Sequence, residues 1–329
     1  MLNLARSTKY KTLAMPIRPS ASQPLAPLSV GNVVTTGLVL YRSHLKSYLS
    51  ISLRATLWVI SPILVTIPLI PLFIVGLLPP SSLSWLYLIW IPLFIFGFAK
   101  YLANSALLSR LAFSELIDRP EIVSNARNYI QPKMWSFFRV AVYVALFLIG
   151  VYIMLSLLSG AIAAIIVAIF SLSRSLINNQ SGIVIAGILS LLIVLAALIG
   201  FLFGFIWFFS RWIIAEVPLA VEEDINSKQS IDRSWELTKN SVFRIQLVVL
   251  VAFLVTLPLM AVTSYIPQIF LLRVPIGSSL YWTIYGISIL TSSVGGIFVL
   301  PFWQTLKAVL YYDLRNRKEG FGLQLRESI

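Results

Sequence analysis

Five polar side chains lie inside or beside the long apolar stretches of this sequence and are the first candidates for chemistry. They are Lys100, Asn104, Glu216, Gln304 and Lys307. Because an ionisable group is costly in the membrane interior, one retained there usually serves ion or substrate transport. These five stand near the charged ends of their apolar stretches, where a lysine can extend to the interface. Their positions favour interfacial groups that orient helices over a substrate site, and Glu216 is expected to pair with one of the two lysines.

The residue types that enzymes commonly use are scarce in this chain. It has no cysteine and a single histidine, His44, so disulfides, thiol catalysis and thiolate or multi-histidine metal sites are not expected. No catalytic Ser/His/Asp set and no glycine-rich phosphate loop occurs. Carboxylates such as Glu115, Glu223 and Asp313 are interpreted as helix-end and salt-bridge residues. We therefore expect no enzyme activity, no cofactor and no metal.

The composition indicates an integral membrane protein. Of the 329 residues, 58% are hydrophobic and 11% are charged, whereas roughly a quarter are charged in ordinary soluble domains. Several apolar stretches reach the roughly 20 residues that a membrane-spanning helix needs. Since a helix satisfies its own backbone polar groups in lipid, the fold class is predicted to be all-α with about six spans. An interfacial or extended piece is predicted at 161–173. The spans are predicted at 54–78, 82–109, 137–160, 183–214, 243–264 and 280–310.

The distribution of charge predicts the orientation. Of the 25 Lys and Arg residues, 23 lie in segments that six spans place on one side, and all 12 carboxylates lie there too. The two exceptions are Arg174 and Arg273. Because basic loops stay in the cytoplasm, both termini are predicted to be cytoplasmic. This bias accounts for the net charge of +13, so no nucleic-acid partner is expected.

The odd-numbered spans begin with similar segments. Residues 52–58, 137–143 and 242–248 each carry an arginine at the third position and then continue into an apolar stretch. These arginines, Arg54, Arg139 and Arg244, are further candidates for contacts to lipid or substrate. Thr66 and Pro68 in the first copy match Thr256 and Pro258 in the third. The similarity predicts three parallel two-helix repeats. The predicted organisation is a disordered tail (1–29), repeats at about 30–115, 120–224 and 225–315, and a C-terminal tail (316–329).

A short amphipathic segment precedes each odd span. Apolar side chains recur at helical spacing in these segments, while charged residues take the other faces. Such a helix is expected to lie in the headgroup region, with its apolar stripe at the acyl boundary. Packing on the cytoplasmic ends of the spans is a compatible alternative. The stripe is Val30, Val34, Leu38, Tyr41, Leu45 and Tyr48 in the first copy, and Ile231, Trp235, Thr238 and Val242 in the third.

Small residues mark candidate helix contacts. Ala196, Gly200 and Gly204 recur every four residues in the fourth span, a spacing that lets two helix backbones approach closely. This face is expected either to pack within the monomer or to join a homodimer. Gly295 and Gly296 in the sixth span are interpreted as packing residues as well.

Two charged stretches resemble a known family. Residues 233–239 (RSWELTK) and 311–321 (YYDLRNRKEGF) are similar to motifs of the YciC-like group of bacterial membrane proteins. That group is related to the membrane domain attached to some glycerophosphoryl diester phosphodiesterases, and residues 27–44 resemble its cyanobacterial members in particular. The resemblance implies the architecture and a bacterial source, but no agreed molecular function. Such a phosphodiesterase needs a soluble barrel with metal-binding carboxylates and two histidines, so the resemblance implies the membrane part alone.

These patterns predict a non-enzymatic scaffold or lipid-interacting protein of the bacterial inner membrane, or of the thylakoid membrane if the source is cyanobacterial. It would use its basic cytoplasmic face, which attracts anionic headgroups by about 1 kcal/mol per Lys or Arg near the surface. A small-molecule or lipid transporter built from the three repeats is the alternative.

Overall fold

The computed structural model describes residues 28–66, 83–176 and 180–320. The predictions for the N-terminal tail up to residue 27, for Pro68 and for the C-terminal tail from residue 321 lie outside these residues. Every regular element in the described part of the chain is a helix, as predicted. A 3-10 turn (Gln131–Lys133) joins α4 to α5, and a π-helical turn (Ala261–Tyr265) joins α9 to α10. In chain order the α-helices are α1 (Val30–Ser43), α2 (Leu45–Thr66), α3 (Leu83–Leu116), α4 (Val123–Ile130), α5 (Met134–Leu176), α6 (Gln180–Trp212), α7 (Glu216–Val221), α8 (Ser227–Thr238), α9 (Val242–Met260), α10 (Ile266–Leu271) and α11 (Ser279–Glu319).

Six of these helical segments are long and apolar enough to cross a membrane. They are α2, α3, α5, α6, α11 and the helical run from α9 through α10. This agrees with the predicted number of spans and with the predicted positions of their apolar stretches. The chain is therefore a multi-pass membrane protein.

Two helices are longer than the sequence analysis predicted. Helix α5 runs for 43 residues without a break, so the extended alternative predicted for 161–173 is wrong. That segment contains no Pro or Gly, and in an apolar environment the helix is the state that satisfies the backbone. Helix α11 continues past the boundary predicted at 315, to Glu319. It ends where Gly320 takes a positive φ of 63°, a conformation that glycine adopts at low cost.

A short helix precedes each odd span, at the segments predicted to be amphipathic. These helices are α1, α4 and α8, before α2, α5 and α9 respectively. Helix α1 packs on α11 and α9, while α8 packs on α5, α6, α7 and α11. The contacts of α1 and α8 therefore agree with the alternative in which these helices pack on the ends of the spans.

The predicted apolar stripes are correct in part. Val34, Tyr41 and Tyr48 are buried as predicted, whereas Leu45 is exposed. In α8 the buried face is wider and more polar than the predicted stripe, because three serines share it with the apolar residues. The buried residues of α8 are Ser227, Ser230, Ile231, Ser234, Leu237 and Thr238.

The core of the described structure lies around the C-terminal halves of α3 and α11. Small residues of α3, such as Ala106 and Ala112, are fully buried there beside Val309 and Tyr311 of α11. Helices α5 and α6 pack mainly on each other, and the most apolar 18 residues of each contain no buried side chain. In a bilayer this exposed apolar surface of the α5–α6 pair faces lipid.

One end of the bundle collects most of the polar contacts. The C-terminal ends of α3, α6 and α11 meet the N-terminal ends of α2, α5 and α9 there, together with α1, α4, α7 and α8. We call this region the charged end, because the ion pairs of the described residues lie in it. It contains the residues predicted to face the cytoplasm.

The three segments aligned by sequence show the same pattern of burial. The first position is buried in each segment, and so is the fourth. The arginine between them is exposed at Arg54 and Arg139 and partly buried at Arg244. The alignment thus matches buried positions with buried positions, while the three-repeat organisation stays a prediction. The buried positions are Ser52, Phe137 and Val242, followed by Ala55, Val140 and Ile245.

Glycines allow two close helix contacts. A side chain at Gly295 would collide with Thr263, and one at Gly97 would collide with the backbone carbonyl of Trp58. A side chain at Gly296 would meet nothing within 4 Å. Of the pair predicted to serve packing, Gly295 does so and Gly296 does not.

Candidate functional site

A network of ion pairs around Glu222 joins α7, α8 and α11 at the charged end. Nε of Arg233 lies 3.2 Å from Oε1 of Glu222, and the same guanidinium reaches Glu319. Tyr311 donates a hydrogen bond to Glu222, and Arg315 pairs with Glu319 at 3.0 Å. Burial lowers the pKa of Arg233, but the charges of Glu222 and Glu319 outweigh burial and leave that pKa above its usual value. These carboxylates are neutralised within the fold, as expected of structural ion pairs.

A second network is built on Asp313, which is only 2% exposed. Its Oδ2 lies 2.6 Å from Nη1 of Arg244 and 3.1 Å from Nε of Arg317. Its Oδ1 accepts a hydrogen bond of 3.0 Å from the backbone N–H of Leu28, and the carbonyl of Leu28 accepts hydrogen bonds from both arginines. The beginning of the described chain is thus fixed to α9 and α11 through both of its backbone groups.

The polar residues predicted near the ends of the spans form contacts across α3, α7 and α11. Nζ of Lys307 lies 2.7 Å from Oε1 of Glu216, so Lys307 is the lysine that pairs with this carboxylate. Oε1 of Gln304, which is 4% exposed, accepts a hydrogen bond of 2.7 Å from Ser109. These contacts satisfy polar groups that would otherwise be costly to bury.

Arg211, at the end of α6, is a buried cation without a carboxylate partner among the described residues. It is 4% exposed, and its guanidinium lies 4.0 Å from the ring centre of Trp235 and 5.4 Å from that of Trp207. Nη1 lies 3.4 Å from the Thr238 hydroxyl, whereas Nε has no hydrogen-bond partner. Aromatic faces stabilise such a cation by about 2 kcal/mol when it is desolvated. The contact holds α8 against α6.

Among the other cations outside the described ion pairs are three from separate helices. Arg54 of α2, Lys100 of α3 and Arg127 of α4 take part in none of the ion pairs formed by the described residues. Lys100 and Arg127 line one small cavity of about 10 Å³ with Asn104 and Gln131. Burial lowers the pKa of Arg127, and the positive charge of Arg54 lowers it further. This cavity, with its surrounding cations, is the candidate site.

A larger open cleft of about 490 Å³ lies between the end of α3, the start of α4 and the end of α7. Its charged lining includes the ion pair of Arg110 and Glu121, at 2.7 Å, together with Arg119 and Glu223. Because both signs of charge are balanced, this cleft does not select an anion or a cation.

The predicted site residues separate into three groups in the structure. Lys100 and Asn104 meet at the small cavity, with Arg54 nearby, while Glu216, Gln304 and Lys307 make the contacts between α3, α7 and α11. Arg244 belongs to the Asp313 network, and the exposed Arg139 reaches only Ser136, 3.0 Å away. Sequence reasoning missed Arg127. Its one available signal was an arginine in the amphipathic segment before the third span, and nothing in that segment indicated which helix it would face.

The small-residue face of α6 is divided. A side chain at Gly204 would meet Leu155 of α5 at 3.3 Å, so Gly204 packs within the monomer. Ala196 and Gly200 are exposed, and a side chain at Gly200 would meet nothing within 4 Å.

No group of three or more His, Cys, Asp or Glu residues that could hold a metal ion occurs in the described parts of the chain. Comparison with known protein families, curated proteins and solved structures found no match.

Proposed function

We propose that this protein is a non-enzymatic scaffold or lipid-interacting protein of the bacterial inner membrane, acting through its charged end. The observation that carries the proposal is the division of its cations into two groups. Arg233, Arg244 and Arg317 are neutralised by carboxylates within the fold, whereas Arg54, Lys100 and Arg127 are not. Cations left without internal partners at the end of a helix bundle are available to anionic headgroups.

The proposal includes an orientation and a source. The charged end lies in the cytoplasm, since basic segments are retained there, and both termini lie on that side. The family resemblance supports a bacterial source, with a thylakoid location if that source is cyanobacterial. Its two motifs contact each other, because Arg233 of the first pairs with Glu319 of the second, and Lys318 donates to the Glu236 carbonyl. Ala196 and Gly200 remain available for a homodimer contact on α6.

Binding to lipid is tested with the purified full chain in an uncharged detergent. Anionic phosphatidylglycerol should be retained more strongly than zwitterionic phosphatidylcholine, and retention should fall as salt rises from about 50 to 500 mM, because salt screens exposed charges. Mass spectrometry of the intact complexes measures the lipid bound per protein. Equal retention of both lipids, unaffected by salt, would contradict the proposal.

Transport is the alternative, and one observation favours it. The Glu216–Lys307 ion pair and the Ser109–Gln304 hydrogen bond place polar groups between α3, α7 and α11, near the ends of the spans. Protein-dependent solute uptake into vesicles, lost in Glu216→Gln at an unchanged amount of folded protein, would support transport. Uptake equal to that of empty vesicles would leave the lipid-binding proposal standing.

A further inference from the structure

The small cavity at the charged end is lined by two cations from separate helices. Lys100 comes from α3, Arg127 from α4, and Arg54, which acts on Arg127, from α2. Like charges repel, so their approach raises the energy of the folded chain unless an opposite charge is supplied. Several other arginines of the charged end are instead paired within the fold, and Arg110 and Arg244, for example, lie 2.7 and 2.6 Å from carboxylate oxygens.

The side chains around the cavity match the parts of a phospholipid headgroup. Asn104 and Gln131 bring amide groups, of which the Asn104 nitrogen already donates a 2.7 Å hydrogen bond to the Lys100 carbonyl, and the remaining wall is apolar. The volume of about 10 Å³ is close to what a single water molecule occupies. It therefore suits one phosphate oxygen, with the rest of the headgroup outside. The apolar wall, formed by Ala103, Leu107, Ile130 and Met134, favours a lipid over free phosphate.

The depth of the site also fits a headgroup. Helix α3 begins at Leu83, and at 1.5 Å per residue Lys100 lies about 25 Å along it. The hydrocarbon core of a bilayer is about 30 Å thick, so Lys100 lies near its boundary. Arg54 begins the apolar stretch of α2, and Arg127 precedes α5. The three cations are therefore expected at the level where lipid phosphates lie.

We propose that Lys100 and Arg127 form a specific binding site for the phosphate group of an anionic phospholipid. This inference rests on the proposed function and deepens it, because it replaces general attraction to a basic surface with one defined site. The Arg127 guanidinium and the Lys100 ammonium bind the phosphate oxygens through charge-assisted hydrogen bonds, and Arg54 adds a further positive charge that acts on Arg127.

The test compares two double variants that remove the same amount of charge. Lys100→Gln/Arg127→Gln changes the proposed site, while Arg42→Gln/Lys228→Gln changes two exposed cations outside it. Native mass spectrometry measures phosphatidylglycerol bound to the full chain at 150 mM salt, an experimental setting of about physiological strength. Affinity for the most tightly bound lipid should fall on the order of tenfold for each site cation removed, and stay unchanged in the control.

The possible outcomes separate the site from the broader function. An equal loss in both double variants would overturn the site and leave general binding by the basic surface intact. Absence of any preference for phosphatidylglycerol in the unaltered chain would overturn both. Displacement of the lipid by inorganic phosphate at equal concentration would overturn the assignment to a lipid. Arg127→Lys keeps the charge and should retain most of the binding.

Stability gives an independent measurement. Because Arg127 takes part in none of the described ion pairs, Arg127→Gln should not lower the unfolding temperature in lipid-free detergent. Added phosphatidylglycerol should raise that temperature more in the unaltered protein than in Arg127→Gln, since a ligand stabilises the state that it binds. A lower unfolding temperature of Arg127→Gln without lipid would show that Arg127 serves the fold and would overturn the proposal.

Discussion

At the scale of single residues, the arginines of the charged end have different environments despite their common chemistry. Arg244 and Arg317 share the buried carboxylate of Asp313, Arg211 lies against the rings of Trp207 and Trp235, and Arg127 lines a cavity without a carboxylate. A buried pair stabilises little by itself, but the loss of one member leaves the other charge uncompensated. These arginines therefore respond differently to substitution.

Asp313→Asn tests this argument at the most buried carboxylate. The variant keeps the shape of the side chain but leaves Arg244 and Arg317 without an opposite charge, and we expect a loss of about 3–5 kcal/mol in stability. Thermal unfolding in detergent measures the change. The control is Glu223→Gln, at an exposed carboxylate outside the described ion pairs, with an expected change within about 0.5 kcal/mol. Similar unfolding temperatures for the two variants would show that the Asp313 network contributes little.

The sequence predicted some residue pairs but not others. A carboxylate and two lysines near the ends of spans were enough to predict that Glu216 has a lysine partner. The choice of Lys307 depended on how α7 faces α11, a contact between residues 91 positions apart. Arg127 was missed for the same reason, because its neighbours come from α2 and α3. Local patterns specify which groups are polar, whereas tertiary packing specifies which of them meet.

At the scale of helices, the sequence was most informative where the signal is local. Apolar length predicted all six spans, since a bilayer requires it of each helix separately. The same approach failed at 161–173, where an extended piece was one predicted alternative although no Pro or Gly is present to end the helix. It also underestimated the polar face of α8. Ser230 and Ser234 are buried there, and their hydroxyls donate hydrogen bonds to backbone carbonyls of α6 and of the turn that follows it.

The close contact of α11 with the π-helical turn after α9 gives a prediction at this scale. Gly295→Ala should destabilise the protein by about 1–3 kcal/mol, because the added carbon would force Thr263 or the backbone to move. Gly296→Ala is the matched control. Its added carbon meets nothing within 4 Å, and alanine favours a helix over glycine by up to about 1 kcal/mol. Thermal unfolding should rank Gly296→Ala above Gly295→Ala, and the reverse order would contradict the contact.

At the scale of the whole molecule, the proposed orientation makes a direct prediction. The chain lacks cysteine, so Lys228→Cys at the charged end and Arg273→Cys at the opposite end each introduce a single labelling site. Both positions are exposed. In spheroplasts, an impermeant maleimide should label Arg273→Cys directly and Lys228→Cys only after permeabilisation. Labelling of Lys228→Cys in intact spheroplasts would reverse the topology and place the proposed lipid site in the other leaflet.

The Leu28 contact has a consequence for how the protein is made. Leu28 and Asp313 are 285 residues apart, and at about 5–20 residues per second their synthesis is separated by roughly 15 to 60 s. Arg244 is also made before its carboxylate partner. The charged end therefore reaches its final arrangement only after the last helix is inserted, and a ribosome that stops before residue 313 leaves a membrane-inserted chain with these groups unmatched. Such a chain differs from the finished protein at the charged end.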